Sequence, residues 1–461
     1  MMKNRTVAAL GAALLTAGLS GCVDFTGPGL DTSPNQPKTA LSNNLFAAVQ
    51  GLQQASITGD INRYVSVWDQ QMMGVNRQWS SYAAYYLNDE NLQGWDNFYT
   101  GAGLVDLRAI EANSVVANDK KYLGIAQVYE AMIMGTAADA WGNVVYSQAV
   151  DPTKPTPTLD TQASVYAALQ TLLDNAILNL AAGVGAGPGS VDLVYGGNSA
   201  KWIAMAHTLK ARLYLRTAKT TATAYTNALA QAQLGIASAG GDFNTYQSGT
   251  VGEENQWFQF KRNRGTDISA SATLVNLMAA RSDPRLASYF APNGAAVIKG
   301  ANPGDEDDGT FSWLSSTRAD PAFHQPLVTY AENQHILAES QQRTGNDAAA
   351  LASLNAYNAS VGLASAPVVV GTALLQEILT SKYIALFQNF ESWNDYKRTC
   401  WPNLIVNPTA AAGSKIPARF YYGAGERQTN PNIPAPSAQP KRNPMDPALT
   451  TTIGGAACLG Q

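Results

Sequence analysis

The side chains best suited to chemistry are aromatic, and several of them fall in one short segment. Trp79, Tyr82 and Tyr85 lie close together in a stretch whose pattern predicts a loop between helices. Flat ring faces stack on sugar rings or on peptide side chains, and the phenol hydroxyls and nearby Asn88 and Asp89 can form hydrogen bonds. The segment therefore predicts part of a binding site for an oligosaccharide or a peptide. The alternative is that the same rings pack into the core.

Two further tryptophans extend this predicted ligand-binding set. Trp257 and Trp313 lie in other segments that mix Gly, Pro, Asn, aromatic and charged residues. Long loops of this kind on a rigid scaffold are frequent places for binding surfaces. We therefore include both residues as candidates for ligand contact.

Cys22 is predicted to carry a lipid. It follows a Leu-Ser-Gly triplet at 19–21 and an apolar run over 7–19, with two basic residues before that run. This layout is typical of a secretory signal, and the run is shorter than the roughly 20 apolar residues that span a bilayer. We predict a signal peptide over 1–21, cleavage before Cys22 and lipidation of its sulfur. An ordinary signal peptide is the alternative.

Cys400 and Cys458 are the other two cysteines of a chain that contains three. An exported protein folds in an oxidising compartment, where two thiols can form a disulfide. We predict a Cys400–Cys458 bridge that holds the tail against the body. Two buried, unpaired thiols are the alternative.

Sequence patterns typical of catalysis are missing. The three histidines are not arranged as His-Glu-x-x-His, and neither a Gly-x-Ser-x-Gly motif nor a phosphate-binding loop occurs. The acidic run over 305–308 is typical of a solvated loop, with a calcium site as the alternative. We predict a protein that is not an enzyme and has no metal or other cofactor. A glycosidase stays open, because two facing carboxylates leave no sequence pattern.

Helices are expected to position these residues. The chain has 461 residues, of which 46% are hydrophobic and 14% are charged, with a formal charge of −4. The scarcity of Lys and Arg argues against a nucleic-acid surface, and the aromatic content argues against disorder. Apolar residues recur three and four positions apart over 120–141, 199–219 and 372–390, which predicts helices there.

Several predicted helices are separated by short breaks and should pack as pairs. The pairs are 92–113 with 120–141, 199–219 with 223–237, and 327–343 with 347–361, and further helices are predicted near 41–57, 60–73, 161–180 and 271–280. Such pairs resemble tetratricopeptide hairpins, with a generic helical bundle as the alternative. We predict a mainly α fold, a tetratricopeptide-like hairpin scaffold with long loop-rich insertions. It would form one domain over 39–461, after a flexible tether over 22–38.

Several stretches, taken in order, resemble the SusD/RagB family of outer-membrane nutrient-binding lipoproteins, in its SusD-like branch. The stretch 139–149, Asp-Ala-Trp-Gly-Asn-Val-Val-Tyr-Ser-Gln-Ala, is similar to the family signature Asp-x-Trp-Gly-Asp-Val-Pro-Tyr-Ser-Glu-Ala. It departs from that signature at Asn143, Val145 and Gln148. The other similar stretches, in the order of the family, are 30–37, 201–202 with 210–213, 283–286, 330–332 with 338–339, 382–386 and 391–399.

The resemblance implies a helical protein with tetratricopeptide-like units that is not an enzyme. Members of this family lie on the outer-membrane surface over a TonB-dependent, SusC-like transporter. They capture oligosaccharides, or in some cases peptides, and pass them inward. For this chain the resemblance implies a lipid-anchored, surface-exposed protein with such a partner, but it assigns no ligand-binding residue. A helical-repeat scaffold without a small ligand is the alternative.

Overall fold

Helices make up most of the regular structure. A computed structural model describes residues 40–446 apart from 91 and 93. The elements in chain order are α1 (Ser42–Thr58), α2 (Asp60–Trp68), β1 (Met72–Gly74), α3 (Arg77–Ala83), α4 (Leu104–Val116), α5 (Lys120–Trp141), α6 (Gln162–Ala182), α7 (Ser199–Arg216), α8 (Ala224–Ala232), β2 (Phe243–Asn244), α9 (Gln256–Arg264), β3 (Ile268–Ala270), α10 (Ala272–Ala280), α11 (Leu286–Tyr289), β4 (Pro326–Val328), α12 (Tyr330–Arg343), α13 (Asp347–Ser360), α14 (Gly371–Ala385), α15 (Phe390–Thr399) and α16 (Ala424–Thr429). The predicted mainly α fold is confirmed.

The three predicted helix pairs are also confirmed. α4 packs against α5, α7 against α8, and α12 against α13. Contacts of α5 with α6, α6 with α7 and α8 with α12 join the pairs into one succession, as in helical-hairpin repeats. The loop-rich insertions lie between them, where 233–255 and 281–325 carry only short helical turns and strand residues.

α5 is buried on nearly every face, because α4, α6 and α7 pack around it. It begins after Asp119, whose carboxylate accepts a hydrogen bond from the Tyr122 backbone N–H at 2.9 Å. It ends at Gly142, where the backbone adopts a φ of 76°, a conformation that favours glycine. Gly124 lets α6 approach closely, since a Cβ there would lie 2.6 Å from the Leu180 side chain.

Two predicted helices have different limits in the structure. The helix expected over 60–73 stops at Trp68, because β1 then turns away to pair antiparallel with β3. The helix expected over 92–113 begins only at Leu104. A tight turn at Gly103 precedes it, and a Cβ at that position would lie 2.6 Å from a backbone oxygen of the turn.

Aromatic rings fill the centre of the core. The Phe420 ring centroid lies 4.9 Å from that of Trp68 and 5.7 Å from those of both Trp141 and Trp393. The indole N–H groups of Trp141 and Trp393 donate to backbone oxygens in the 417–421 segment at 2.7 and 2.8 Å. These contacts fix that late segment of the chain against α2, α5 and α15, because buried indole N–H groups need partners.

A buried ionic network joins α5, α7, α12, α14 and α15. Arg212 donates two hydrogen bonds to Glu332, at 2.6 and 2.7 Å. Burial raises the pKa of Asp395, but Lys382 and Arg398, at 2.6 and 2.8 Å, outweigh burial and hold the pKa below its ordinary value. Five carboxylates and five cations, none more than 9% exposed, make up the network: Asp139, Glu332, Glu339, Glu391, Asp395, Arg212, Arg216, Lys382, Lys397 and Arg398.

The stretches that carry the family resemblance supply this network. Asp139 comes from the 139–149 stretch, Arg212 from 210–213, and Glu391 from 391–399. Buried charges are tolerated only where they are paired and hydrogen-bonded. Asp139, Arg212 and Glu391 therefore hold helices together.

Candidate ligand-binding site

The aromatic residues predicted to form a binding surface lie mostly in the core. Trp79 and Tyr82 are 1% and 7% exposed. The segment expected to be a loop instead forms α3, which places both rings against Tyr64, at centroid distances of 5.2 Å. A ring face that contacts another ring offers no stacking surface to a sugar in this conformation. These two residues are therefore core residues rather than an exposed surface.

Trp257 and Trp313 are buried as well, at 0% and 9% exposure. Trp257 lies on α9, and its indole N–H donates to the Asn62 side-chain oxygen at 3.0 Å. Trp313 stacks on Phe260 at 6.4 Å, and Phe260 contacts Trp79 at 5.3 Å. The structure thus brings the two predicted aromatic groups together, but it does so inside the core, where burying rings is favourable.

Tyr85 is half-buried, unlike the other four predicted ring residues. Its hydroxyl oxygen accepts a hydrogen bond from the Asn407 backbone N–H at 3.1 Å. Burial raises the pKa of Tyr85 to about 12, so the phenol keeps its proton at neutral pH. Its ring borders a small cavity together with Leu87.

A larger cleft, of about 590 Å³, opens beside the turn between α1 and α2. We call it the corner cleft. Its volume lies within the range of known small-molecule sites, roughly 300–1,000 Å³. Leu52, Ala55 and Ser56 lie on one face of α1, and they form the first wall together with Gly59 of the turn. The second wall consists of the described residues of the 89–97 segment, and 423–425 closes a third side.

Two arginines, one on α2 and one on α16, hold neighbouring elements together around the corner cleft. Asp60 contacts Arg63 at 2.7 Å, and Arg63 also donates to the Gln256 backbone oxygen at 3.0 Å. Arg427 contacts Asp89 at 2.6 Å. The Arg63 hydrogen bond holds the start of α9 against α2, and the Arg427–Asp89 pair holds α16 against the second wall, so contacts within the protein preform the cleft.

Glu90 and Asp96 supply two carboxylates that do not hold a neighbouring helix in place. Both residues are exposed and line the cleft, and in the described part of the chain neither side chain forms an ion pair. Carboxylate oxygens accept hydrogen bonds from hydroxyl groups. Leu52, which is 38% exposed, adds apolar surface to the same cleft, whereas Ile61 and Trp95, which border it, are only 2% and 3% exposed. This mixture suits a ligand with many hydroxyl groups and some apolar faces.

One exposed aromatic ring lies outside the corner cleft. Tyr246 is 43% exposed, and its ring centroid lies 5.8 Å from that of His324. Its backbone N–H donates to the side-chain oxygen of Gln54, a buried residue of α1, at 2.7 Å. Tyr246 therefore offers the open ring that Trp79, buried in the core, does not.

The cysteine predictions lie partly outside the described residues. Cys22, the signal peptide and the tether precede residue 40, and Cys458 follows residue 446. Cys400 ends α15 and is 1% exposed. The lipid anchor and the Cys400–Cys458 bridge stay predictions. No helix within 40–446 is both long and apolar enough to cross a membrane.

The acidic run over 305–308 bonds to its own loop. Asp305 accepts a hydrogen bond from the Asn302 backbone N–H at 2.8 Å, and Asp308 accepts one from the Thr310 backbone N–H at 2.8 Å. Hydrogen bonds from Thr310 lower the pKa of Asp308 to about 2. In the part of the chain that the structure describes, no group of three or more His, Cys, Asp and Glu could hold a metal ion.

Most of the corner cleft could not be predicted from the sequence. The aromatic segment predicts ligand contact for Asp89 alone among the polar lining residues. Glu90, Asp96 and Asn97 follow Asp89 along the chain, whereas the remaining polar residues come from α1, α2 and α9, which are distant in sequence. One available signal is Gly59-Asp60, a helix break followed by an acidic first residue, which marks a corner. That signal locates the turn but not the walls that face it.

Comparison with known proteins supports the fold. A SusD/RagB family protein from Bacteroides thetaiotaomicron is 23% identical, with a TM-score of 0.72 over 86% of this chain and 95% of that chain. A chitin-binding SusD homologue from Flavobacterium johnsoniae is 23% identical, with a TM-score of 0.69 over 87% and 96%. A SusD homologue from Bacteroides uniformis is 21% identical, with a TM-score of 0.70 over 89% and 99%.

A family model assigns the chain more directly. The SusD-like model, described as starch-binding and associating with the outer membrane, matches residues 34–423. No curated protein sequence matches the chain. The model covers most of the sequence, and the predicted resemblance and tetratricopeptide-like helical fold are confirmed. The chain therefore belongs to the SusD-like family of proteins that associate with the outer membrane.

Proposed function

We propose that this protein is a lipid-anchored, cell-surface component of the outer membrane that captures oligosaccharides in the corner cleft. It would pass them to a partner TonB-dependent, SusC-like transporter and would not act as an enzyme. Membership of the SusD-like family supports the glycan ligand and the location. The predicted lipid on Cys22 would provide the anchor. The partner and the delivery step are inferred from the family resemblance.

The corner cleft is the observation that carries this proposal. It combines a volume of about 590 Å³ with hydrogen-bonding groups on three sides and apolar surface from Leu52. Sugars bind through oriented hydrogen bonds and contacts with their apolar faces. The cleft is lined by one cation, Arg63, and by four carboxylates, those of Asp60, Asp89, Glu90 and Asp96. This excess of negative charge favours neutral over acidic sugars.

A calorimetric titration with soluble oligosaccharides tests the ligand class. The panel includes malto-oligosaccharides, because the family is described as starch-binding. It also includes chito-oligosaccharides, because one structural relative is a chitin-binding protein. Ala55→Trp would place an indole in the cleft, and we expect affinity to fall at least about tenfold, equivalent to about 1.4 kcal/mol. The matched control is Ala352→Trp, on an exposed position of α13. It should bind as the wild type does.

Two results would contradict the proposal in different ways. If no member of the panel binds, the protein does not capture glycans of these classes. If glycans bind equally well to the wild type and to Ala55→Trp, the ligand lies elsewhere on the surface. Melting temperatures of both variants establish that they are folded.

A basic peptide is the second candidate ligand, because of the charge of the cleft. Four carboxylates and one arginine line it, and Glu90 and Asp96 have no ion pair among the described residues. A Lys-rich peptide would be attracted to such a surface, with a strong dependence on salt. Adding such a peptide to the titration decides between the two classes, since peptide binding without sugar binding reassigns the ligand.

A test of the transporter partnership requires native membranes. Extraction in mild detergent, followed by pull-down of this protein and mass spectrometry, should recover a stoichiometric TonB-dependent transporter. Recovery of the protein alone would contradict the delivery role. Recovery with periplasmic proteins would favour a scaffold that organises the envelope.

A further inference from the structure

A second cleft, of about 500 Å³, opens at the end of α10. One wall is the 281–285 turn that follows α10, and another is the 362–367 loop between α13 and α14. Asn358 of α13 and Glu377 of α14 complete the lining. We call it the second cleft. It shares no lining residue with the corner cleft, and its volume also lies within the range of known small-molecule sites.

Hydrogen bonds from α13 fix the 362–367 loop. The Asn358 side chain donates to the Ala364 backbone oxygen at 3.1 Å, and the Asn358 backbone oxygen accepts a hydrogen bond from the Leu363 N–H at 2.8 Å. The Asn355 side-chain oxygen accepts a hydrogen bond from the Ala366 N–H at 2.8 Å. Contacts within the protein therefore hold this wall in place, so that a ligand does not have to order it.

The charged groups of the second cleft are paired with one another. Arg285 donates from Nε and Nη2 to the two carboxylate oxygens of Asp283, at 2.9 and 2.5 Å. Arg281 donates two hydrogen bonds to Glu377, one of them at 2.9 Å. Two cations and two carboxylates thus line this cleft, whereas the corner cleft is acidic. A charged ligand would compete with these bidentate pairs, and a neutral ligand would not.

Two serine hydroxyls at the second cleft are not used by the protein. Ser282 and Ser365 are exposed and line the cleft, and within the described residues neither hydroxyl forms a hydrogen bond. The backbone of Ser282 has a φ of 49°, a conformation that favours glycine. Serine is therefore the costlier residue at this position. Residues held in this way cluster at functional sites, which makes the Ser282 hydroxyl a candidate ligand contact.

Small apolar residues and the remaining capacity of one ion pair complete the surface. Pro284, Ala364 and Pro367 line the second cleft and are exposed. The side chains of Arg281 and Glu377 are 33% and 13% exposed. A guanidinium has five N–H donors and a carboxylate about four acceptor sites, so the pair can still bond to hydroxyl groups. Hydroxyl-bonding groups beside small apolar surfaces suit a sugar.

We propose that the second cleft binds a short segment of a neutral sugar, in addition to the corner cleft. The choice of a sugar rests on the proposed function, whereas the position of the site and the neutrality of its ligand rest on the residues of the second cleft. The charges are already paired, so we expect this site to be the weaker of the two. A glycan long enough to reach both clefts would bind more tightly than either site alone allows.

Calorimetric titration of Ala55→Trp with the neutral oligosaccharides tests the second cleft, because that variant blocks the corner cleft. We expect one saturable, weaker site to remain. Adding Ala364→Trp would place an indole in the second cleft and should abolish the remaining binding. The matched control adds Ala352→Trp, on an exposed position of α13 outside the cleft, and should leave that binding unchanged. Melting temperatures establish that the variants are folded.

Ser282→Gly tests the hydroxyl with little risk to folding, because glycine adopts a φ of 49° readily. In the Ala55→Trp background it should weaken the remaining binding by about threefold to tenfold, as expected for the loss of one hydrogen bond. Ala296→Gly is the matched control. Ala296 is exposed, has a φ of 60° and lies outside the second cleft, so its replacement should leave the affinity unchanged.

The results that contradict this site differ from those that contradict the proposed function. If the wild type binds sugars and Ala55→Trp binds none, the corner cleft alone takes the ligand and the second cleft is not a site. Binding that survives Ala364→Trp, or that responds equally to Ser282→Gly and Ala296→Gly, also overturns the second cleft alone. If the wild type itself binds no sugar, the ligand class fails for both clefts.

Discussion

Removing one carboxylate from the buried ionic network should have a large effect on stability. Arg212 and Glu332 are both nearly inaccessible, and two hydrogen bonds of 2.7 and 2.6 Å join them. In Glu332→Leu, Arg212 would keep one longer contact to Glu391, at 3.4 Å, and a hydrogen bond to the Leu327 backbone oxygen at 3.1 Å. The network would then hold one more positive than negative charge.

The expected loss is about 3–5 kcal/mol of unfolding free energy, the usual cost of breaking a buried ion pair by removing one partner. Urea unfolding followed by tryptophan fluorescence measures it, because the nine tryptophans report on the core. The double variant Arg212→Met with Glu332→Leu removes both charges. It should recover much of the loss, since two apolar side chains can replace a buried pair at little cost.

Asp308→Asn is the matched surface control. Asp308 and Lys299 form an ion pair whose side chains are 50% and 44% exposed, and its removal should leave the unfolding midpoint unchanged. If Glu332→Leu also loses less than about 1 kcal/mol, as exposed pairs do, the reasoning is refuted. A double variant less stable than Glu332→Leu alone would also contradict it.

Three further predictions concern other parts of the core. Burial raises the pKa of Asp69 from 3.8 to about 7, so the folded protein keeps a proton that the unfolded chain releases. Its stabilising contribution is complete below pH 3.8 and is lost as the pH rises to about 7, by about 1.4 kcal/mol per pH unit. Urea unfolding across that range should show this decline in the wild type relative to Asp69→Asn, and parallel curves would contradict it. Trp79→Ala should destabilise the protein by about 3–5 kcal/mol without changing ligand affinity under native conditions, as unfolding and titration of the same sample would show; weaker binding would return Trp79 to the site. Gly124→Ala should lower the melting temperature, although alanine is the better helix former, because its Cβ would lie 2.6 Å from the Leu180 side chain; a higher melting temperature would mean that α6 moves away freely.

Much of the fold follows from local sequence patterns. The apolar period over 120–141 predicts α5, and short breaks predict the helix pairs, because each depends on neighbouring residues alone. The stretches that resemble the family can also be recognised in the sequence, because their residue types are constrained by packing. They place residues such as Asp139, Arg212 and Glu391 in one buried network, where a change of residue type would leave a charge without its partner.

The site could not be predicted in the same way. Trp79 and Tyr82 look like loop aromatics, but Asn76 caps a short helix that turns them inward, with its side chain accepting a hydrogen bond from the Arg77 backbone N–H at 2.8 Å. The corner cleft depends on segments that are distant along the chain. The ion pair between Asp89 and Arg427 joins residues that are 338 positions apart in the sequence.

The most direct test of glycan capture is a crystal structure of the protein with the tightest-binding oligosaccharide from the titration. We predict sugar density between α1, the 89–97 segment and 423–425, with hydroxyl groups within hydrogen-bond distance of Glu90 or Asp96. Density at another surface, with the corner cleft empty, would contradict the central claim.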